Sequence, residues 1–316
     1  MMWRQFVPAV AFLVAGIQAH ATEVAPNVVV SIKPVHSLVA GVMGEVSPSP
    51  QLLVPGSASP HLYQMRPSEA RMLQNADLVI WVGETLETFL VRPIGTLGDD
   101  AMTVTLHEAA GINLLPNREG GIWEHDDESE VHMDEHEDHG HGHDEFDMHI
   151  WLEPENAKRI VTVVADALVR IDPANGETWR NNAGKMAMRI DTKAAELRER
   201  LASVQERPFV VFHDGYGYFE HAFGLQGFGA VAVDPSRPVG ARRLTELREA
   251  LEHHEVACVF TEAQFRPELV QTLIEGTDVG SEVLDPIGAT IPAGPDAWFE
   301  LMDNLALSFE QCLGDT

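Results

Sequence analysis

The sequence predicts an α/β protein: two parallel-sheet α/β lobes joined by a long rigid backbone helix, with a metal site in the interlobe cleft. Three observations carry this. Short apolar runs alternate with helical patterns on both sides of residue 175, as βαβ units do. One proline-free helical pattern, Gly176–Val204, separates the two alternating stretches and could reach roughly 40 Å at about 1.5 Å per residue. Three histidines outside the one low-complexity segment share one context: His61 in the turn after a strand, His149 at the edge of a short apolar stretch and His213 directly after a strand, and open parallel sheets bind ligands outside the carboxyl ends of their strands.

In order, Phe6–Ile17 is an apolar run behind a single cation, Arg4, and ends in the small-x-small pattern Ala19-His20-Ala21. That is a secretory signal peptide cleaved after about Ala21, too short to span a bilayer. No cysteine lies near the cleavage point, so no lipid anchor is expected, and the mature chain is read as exported and soluble. Asn27–Ile32 reads as a buried strand that stops at Pro34. His36–Met43 is a helix closed by Gly44, and Val46–Val54 a second strand ending at Pro55-Gly56. Ser68–Asn75 is helical with Ser68 as its cap, and Ala76–Val82 is a strand. Pro154–Arg170 is a helix with Ile160, Val163, Val164, Ala167 and Leu168 on one face. After the long helix the alternation resumes with strands at Phe209–Phe212, Gly229–Val233, Val256–Phe260 and Gly280–Leu284. The intervening helices are Tyr216–Phe223, Arg242–His253 and Pro267–Ile274, and Ala297–Cys312 closes the chain. The expected division is 1–21 signal peptide, 22–172 first lobe, 173–205 linking helix and 206–316 second lobe.

The 21 basic and 49 acidic residues give a formal charge of −28, which argues against nucleic acid or an anionic membrane surface as partner. The two cysteines, Cys258 and Cys312, both fall in the last fifth of an exported chain and read as one disulfide.

Residues 120–147 interrupt the pattern. Between Glu124 and Asp147 stand six histidines (His125, His132, His136, His139, His141, His143) and twelve carboxylates, with no Lys or Arg from Glu119 to Ala157. Such a segment cannot form a core; its histidines and carboxylates suit weak auxiliary zinc sites beside the cleft, with a solvating acidic loop of no metal role as the alternative. His132–His136 also spells H-x-x-E-H, but a low-complexity loop lacks the stable helix that a zinc-protease motif needs.

His61 follows the second strand, His149 begins HIWL, and His213 ends PFVVFH. Three neutral imidazoles leave one position of a zinc tetrahedron for water or a carboxylate. Asp285, after the strand Gly280–Leu284, is the carboxylate so placed, with an Asx-turn role as its structural alternative. His36 and His107 read as helix-start or loop residues, and His221, His253 and His254 as exposed helix residues.

The stretches GSASPHLYQMRPSEARMLQNADLVIWVG, DMHIWLEPENA, VVFHDGYGYFEHAFGL, CVFTEAQF and LDPIGAT resemble, in order, the zinc-specific periplasmic metal-binding proteins of bacterial ABC transporters, the ZnuA type. The resemblance covers nearly the whole mature chain. It implies a monomeric, non-enzymatic carrier that binds one ion between two α/β lobes and hands it to a membrane permease driven by a cytoplasmic ATPase. It implies zinc ligands at His61, His149 and His213 and a disulfide matching Cys258–Cys312. Manganese-handling relatives carry a carboxylate at the third ligand position, so His213 favours zinc, as its softer donor also does. Some members have a glutamate before the first ligand; Pro60 stands there here, which leaves water or, preferably, Asp285 for the fourth position. The alternatives are a manganese or iron carrier of the same family, and a secreted zinc hydrolase with Glu262 as base.

Overall fold

The structure is a computed structural model, which describes residues 25–96, 101–118, 120–123, 146–232, 235–254 and 256–314. The expected signal peptide and the six insert histidines lie outside the described residues.

The first sheet is wholly parallel, in the order β2-β1-β3-β4. Its strands are β1 (Val28–Val30), β2 (Gln51–Leu52), β3 (Leu78–Trp81) and β4 (Met102–Thr105). β1 and β3 are buried along their whole length, which is why they read as unbroken apolar runs. β4 lies at the sheet edge, half exposed and with two threonines, so it gives no such run, and the sequence reading has no strand there. The strand expected over Val46–Val54 contracts to two residues, because Pro48 and Pro50 have no N–H to give a ladder.

Helix α1 (Lys33–Met43) starts before the expected His36, since Pro34 fits a first turn whose N–H groups have no helical partner. It ends at Gly44, with φ at 56°. His36 is therefore inside the helix and buried, its Nε2 2.8 Å from the carbonyl of Pro50. Helix α2 (Pro67–Gln74) is capped at Arg66, not Ser68: Pro67 takes the first helical position and the Glu69 carboxylate accepts from Arg66 N at 2.6 Å. A short α3 (Val91–Gly95) follows β3.

Helix α4 (Pro154–Ile171) buries Ile160, Val161, Val164, Ala165, Ala167 and Leu168, so Val163 lies at the margin of the apolar face instead of within it. Helix α5 (Gly176–Leu201) has 26 residues, about 39 Å at 1.5 Å per residue, and packs on α4 and α1. The second sheet is also parallel. β5 (Phe209–His213) lies between β6 (Gly227–Ala232) and β7 (Cys258–Val259). Past Phe260 the chain pairs again as β8 (Thr261–Glu262) with β9 (Val283–Leu284). Helices α6 (Gly217–Phe223), α7 (Ala241–His253) and α8 (Glu268–Ile274) connect these strands, and α9 (Ala297–Leu313) returns to pack on α1 and α5.

One continuous hydrophobic core runs from β1 to the end of α9 and takes residues from both sheets; a second, smaller core lies around α7, α8 and the strands they cover. Polar ties reinforce the junction. Lys33 Nζ, buried, donates to the carbonyls of Gly288, Ala289 and Ile291 on the far side. Trp298 Nε1 donates to Trp151 O, and Trp151 Nε1 to Pro286 O, each at 2.8 Å. Gly121 and Trp123, from the first half of the chain, hydrogen-bond to Ala230 and Phe228 on β6.

Cys258 and Cys312 form a disulfide that joins β7 to the last turn of α9, with Cα atoms 5.9 Å apart. It closes a separation of 54 residues, for which chain entropy gives roughly 4 kcal/mol. Replacing both cysteines by serine should lower the unfolding free energy measured in urea by up to about that amount.

Candidate metal centre

His61, His149 and His213 converge on one point. His61 lies in the 3-10 turn Pro60–Leu62, His149 caps the 3-10 turn Ile150–Leu152, and His213 is the last residue of β5. Their ligand nitrogens all lie within 4.8 Å of one another. The His149 Nε2 atom is 3.4 Å from that of His61 and 3.2 Å from that of His213. Two nitrogens of a zinc tetrahedron, with Zn–N bonds of about 2.0–2.1 Å, stand about 3.3–3.4 Å apart, so the two edges that meet at His149 match the spacing such an ion sets.

Two carboxylates aim the rings. Asp147 Oδ1 accepts from His149 twice, from its backbone N–H at 2.9 Å and from ring Nδ1 at 2.7 Å. Glu262 Oε1 accepts from His213 in the same two ways, at 3.0 and 2.5 Å. A carboxylate oxygen can only accept, so each Nδ1 carries the proton and each Nε2 lone pair faces the cluster. Both histidines are about 95% buried, at 5% and 4% exposure, and His61 is half-buried. Burial, and then the neighbouring His149 and His213, hold the His61 pKa well below the imidazole range, which keeps the ring neutral and fit to donate a lone pair. For His213 burial pushes the pKa down, but Glu262, with Asp147 and Asp214 behind it, outweighs this and the net shift is upward.

Asp285 is not in this cluster. Its Oδ1 accepts from Gln264 Nε2 at 2.8 Å and from the backbone N–H of Ile287 and Gly288; its Oδ2 accepts from Ala289 N. The expectation of a fourth ligand there is corrected: the carboxylate is consumed in organising the loop 285–289, as in the Asx-turn alternative. Glu262, the base of the hydrolase alternative, has one oxygen committed to His213.

Sequence reasoning passes over Asp147 and the role of Glu262. The spacing Asp147-x-His149 carries a faint signal, since an aspartate two residues ahead can bond the histidine's backbone N–H. Glu262 is 49 residues from His213, and only the pairing of strands brings them together. Among the other histidines, His107 is in a loop with Nδ1 2.9 Å from Val82 O, and His221, His253 and His254 are at least half-exposed.

Arg118 fixes the rim. It pairs with Asp214, next to His213, and with Glu220 at 2.7 Å, and lies 3.4 Å above the Trp123 ring. Gly215 fixes the floor. A Cβ there would stand 2.6 Å from His213 Nε2 and 3.0 Å from His149 Nε2, the space an ion would use. Gly215→Ala should therefore weaken zinc binding at least about tenfold, as displaced coordination shells do, while the thermal midpoint of the zinc-free protein changes little. Isothermal titration alongside a melting curve checks both.

Residues 28–312 match the family described as "Zinc-uptake complex component A periplasmic", ZnuA. The chain is 38% identical over 306 residues to the "High-affinity zinc uptake system protein ZnuA" of Brucella abortus (strain 2308), covering 91% of each. It is 34% identical over 293 residues to the protein of the same description from Yersinia pestis, covering 90% of this chain and 91% of the relative. A crystal structure of ZnuA superposes with a TM-score of 0.75 at 23% identity, covering 92% of this chain and all of the other, which establishes a shared fold. A zinc-bound ZnuA lacking its residues 138–173 superposes with a TM-score of 0.74, also at 23% identity.

Proposed function

This chain belongs to the ZnuA family, and from that premise we propose that it is the zinc-capturing component of an ABC import system. In this reading it binds Zn²⁺ in the periplasm through His61, His149 and His213 and delivers it to a membrane permease served by an ATPase. The observation that carries the reading is the triangle of Nε2 atoms, spaced at 3.2 and 3.4 Å along two of its edges, with two of its imidazoles locked by carboxylates. The carrier does no covalent chemistry. Zinc is its cargo, and each residue's task is to present or release a lone pair.

All three donors are imidazole nitrogens, a set that suits zinc better than manganese, which takes carboxylate, carbonyl and water oxygens more readily. Among the described residues no helix is long and apolar enough to cross a membrane, which is compatible with an exported carrier working beside a separate permease. The zinc uptake named for the relatives supports the same assignment.

Competition titration against a chelator tests the ligand set and the metal together. The mature chain should bind Zn²⁺ at one tight site and Mn²⁺ far more weakly. His149→Ala should raise the zinc Kd by more than the roughly 10–100-fold that loss of an outer-shell partner causes. Tight binding retained by that variant would mean that other residues hold the ion.

The six histidines of the insert are assigned weaker, auxiliary zinc binding on composition alone. Deleting residues 124–145 should lower the zinc stoichiometry measured by equilibrium dialysis and leave the tight site unchanged; an unchanged stoichiometry would remove the auxiliary role.

A further inference from the structure

The three histidines supply three nitrogens, whereas zinc in proteins takes about four ligands. With Asp285 engaged elsewhere, the fourth donor has to come from another source. We infer that it is a water molecule held by the side-chain oxygen of Gln264, which makes Gln264 a positioning residue for zinc capture. The inference rests on the zinc-carrier reading above and deepens it.

Gln264 borders the same small pocket as the three histidines, together with Pro60 and Glu262. The pocket has about 10 Å³ of room for the centre of a water, close to the space one molecule needs. Gln264 Nε2 donates to Asp285 Oδ1 at 2.8 Å and points to Gly56 O at 3.4 Å. Both partners are pure acceptors, a carboxylate and a carbonyl. A rotated amide would turn its oxygen on both of them, so chemistry fixes which end faces which way.

The other end, Oε1, is buried and meets no donor among the described residues. A buried amide oxygen left without a donor is costly, and such atoms are uncommon in folded proteins. A water bound to zinc supplies the missing donor. The metal withdraws charge from the water, sharpens its O–H groups as donors, and takes the lone pair that a free water would offer elsewhere. In this inference the amide acts through the water and is not itself a ligand. Asp285 thus acts on the metal at two removes: it orients Gln264, and Gln264 orients the water.

The test uses the mature chain with Gln264→Leu and Gln264→Asn, the latter keeping an amide while withdrawing the oxygen by one methylene. Zinc Kd is measured by chelator competition, and Co²⁺ replaces zinc as the probe of coordination. Gln264→Leu should raise the zinc Kd about tenfold or more, the usual scale for an outer-shell partner, and should alter the visible absorption of the Co²⁺ form. Gln264→Asn should move both in the same direction, and it carries the test if the leucine variant does not fold. An unchanged Kd and Co²⁺ spectrum in a variant that folds overturns the inference while leaving the carrier reading intact. A weakened Kd with an unchanged Co²⁺ spectrum assigns Gln264 to packing and overturns it as well. If the unaltered chain fails to bind zinc tightly, it is the carrier reading that has failed.

Discussion

The candidate centre depends on two carboxylate–imidazole hydrogen bonds, Asp147 with His149 and Glu262 with His213. A free imidazole can rotate and can present either nitrogen. Here the same carboxylate oxygen takes both the backbone N–H and the ring Nδ1–H of its histidine, so the ring is held at two points. What remains free on each ring is one lone pair at Nε2, and the two lone pairs meet at 3.2 Å. Two such nitrogens brought together repel or must share a proton unless a cation takes both lone pairs, and the carboxylates hold the rings in the orientation that lets one do so.

Around the site the two halves of the chain are packed together. The shared core runs through α1, α4, α5 and α9. Across it, Lys33 gathers three carbonyls of the 288–291 turn, and the Trp298–Trp151–Pro286 hydrogen bonds link α9, the turn after His149 and the loop after β9. Asp285 organises the same loop from within through three backbone N–H groups. His61 stands apart: it lies on a three-residue turn and is the most exposed of the three. The anchoring is therefore unequal, firm at His149 and His213 and lighter at the ring nearest solvent.

Much of this was legible in the sequence, and the exceptions share a cause. Buried strands such as β1 and β3 announce themselves because both faces are covered, α4 because its apolar positions recur at helical spacing, and α5 because it is a long proline-free run of helix formers. β4 was not legible, since an edge strand with threonines has no periodic signature. His61, His149 and His213 could be picked out by their places, in the turn after a strand, at the edge of an apolar stretch and at a strand end, and the structure brings them together. Asp285 had the same kind of place, and there position misled. A carboxylate after a strand can face a cleft or fold back on its own loop, and the backbone N–H groups of residues 287–289, which decided it, are invisible to composition. Glu262 was visible as a strand-end acid but not as the partner of a residue 49 positions away.

The order of the shells also bears on which ion the centre suits. A divalent cation placed among three neutral imidazoles would bring two uncompensated charges into a largely buried site, which is strongly unfavourable. One remedy is to put carboxylates directly on the metal, but oxygen ligands favour harder ions such as manganese. The arrangement here puts the carboxylates one ring away. Asp147 and Glu262 supply two formal negative charges against the two positive charges of the ion, and the imidazoles between them pass the compensation on by becoming stronger donors. Charge balance comes from oxygen and contact from nitrogen, so the site can neutralise a dication without presenting the oxygen shell that would draw a harder ion.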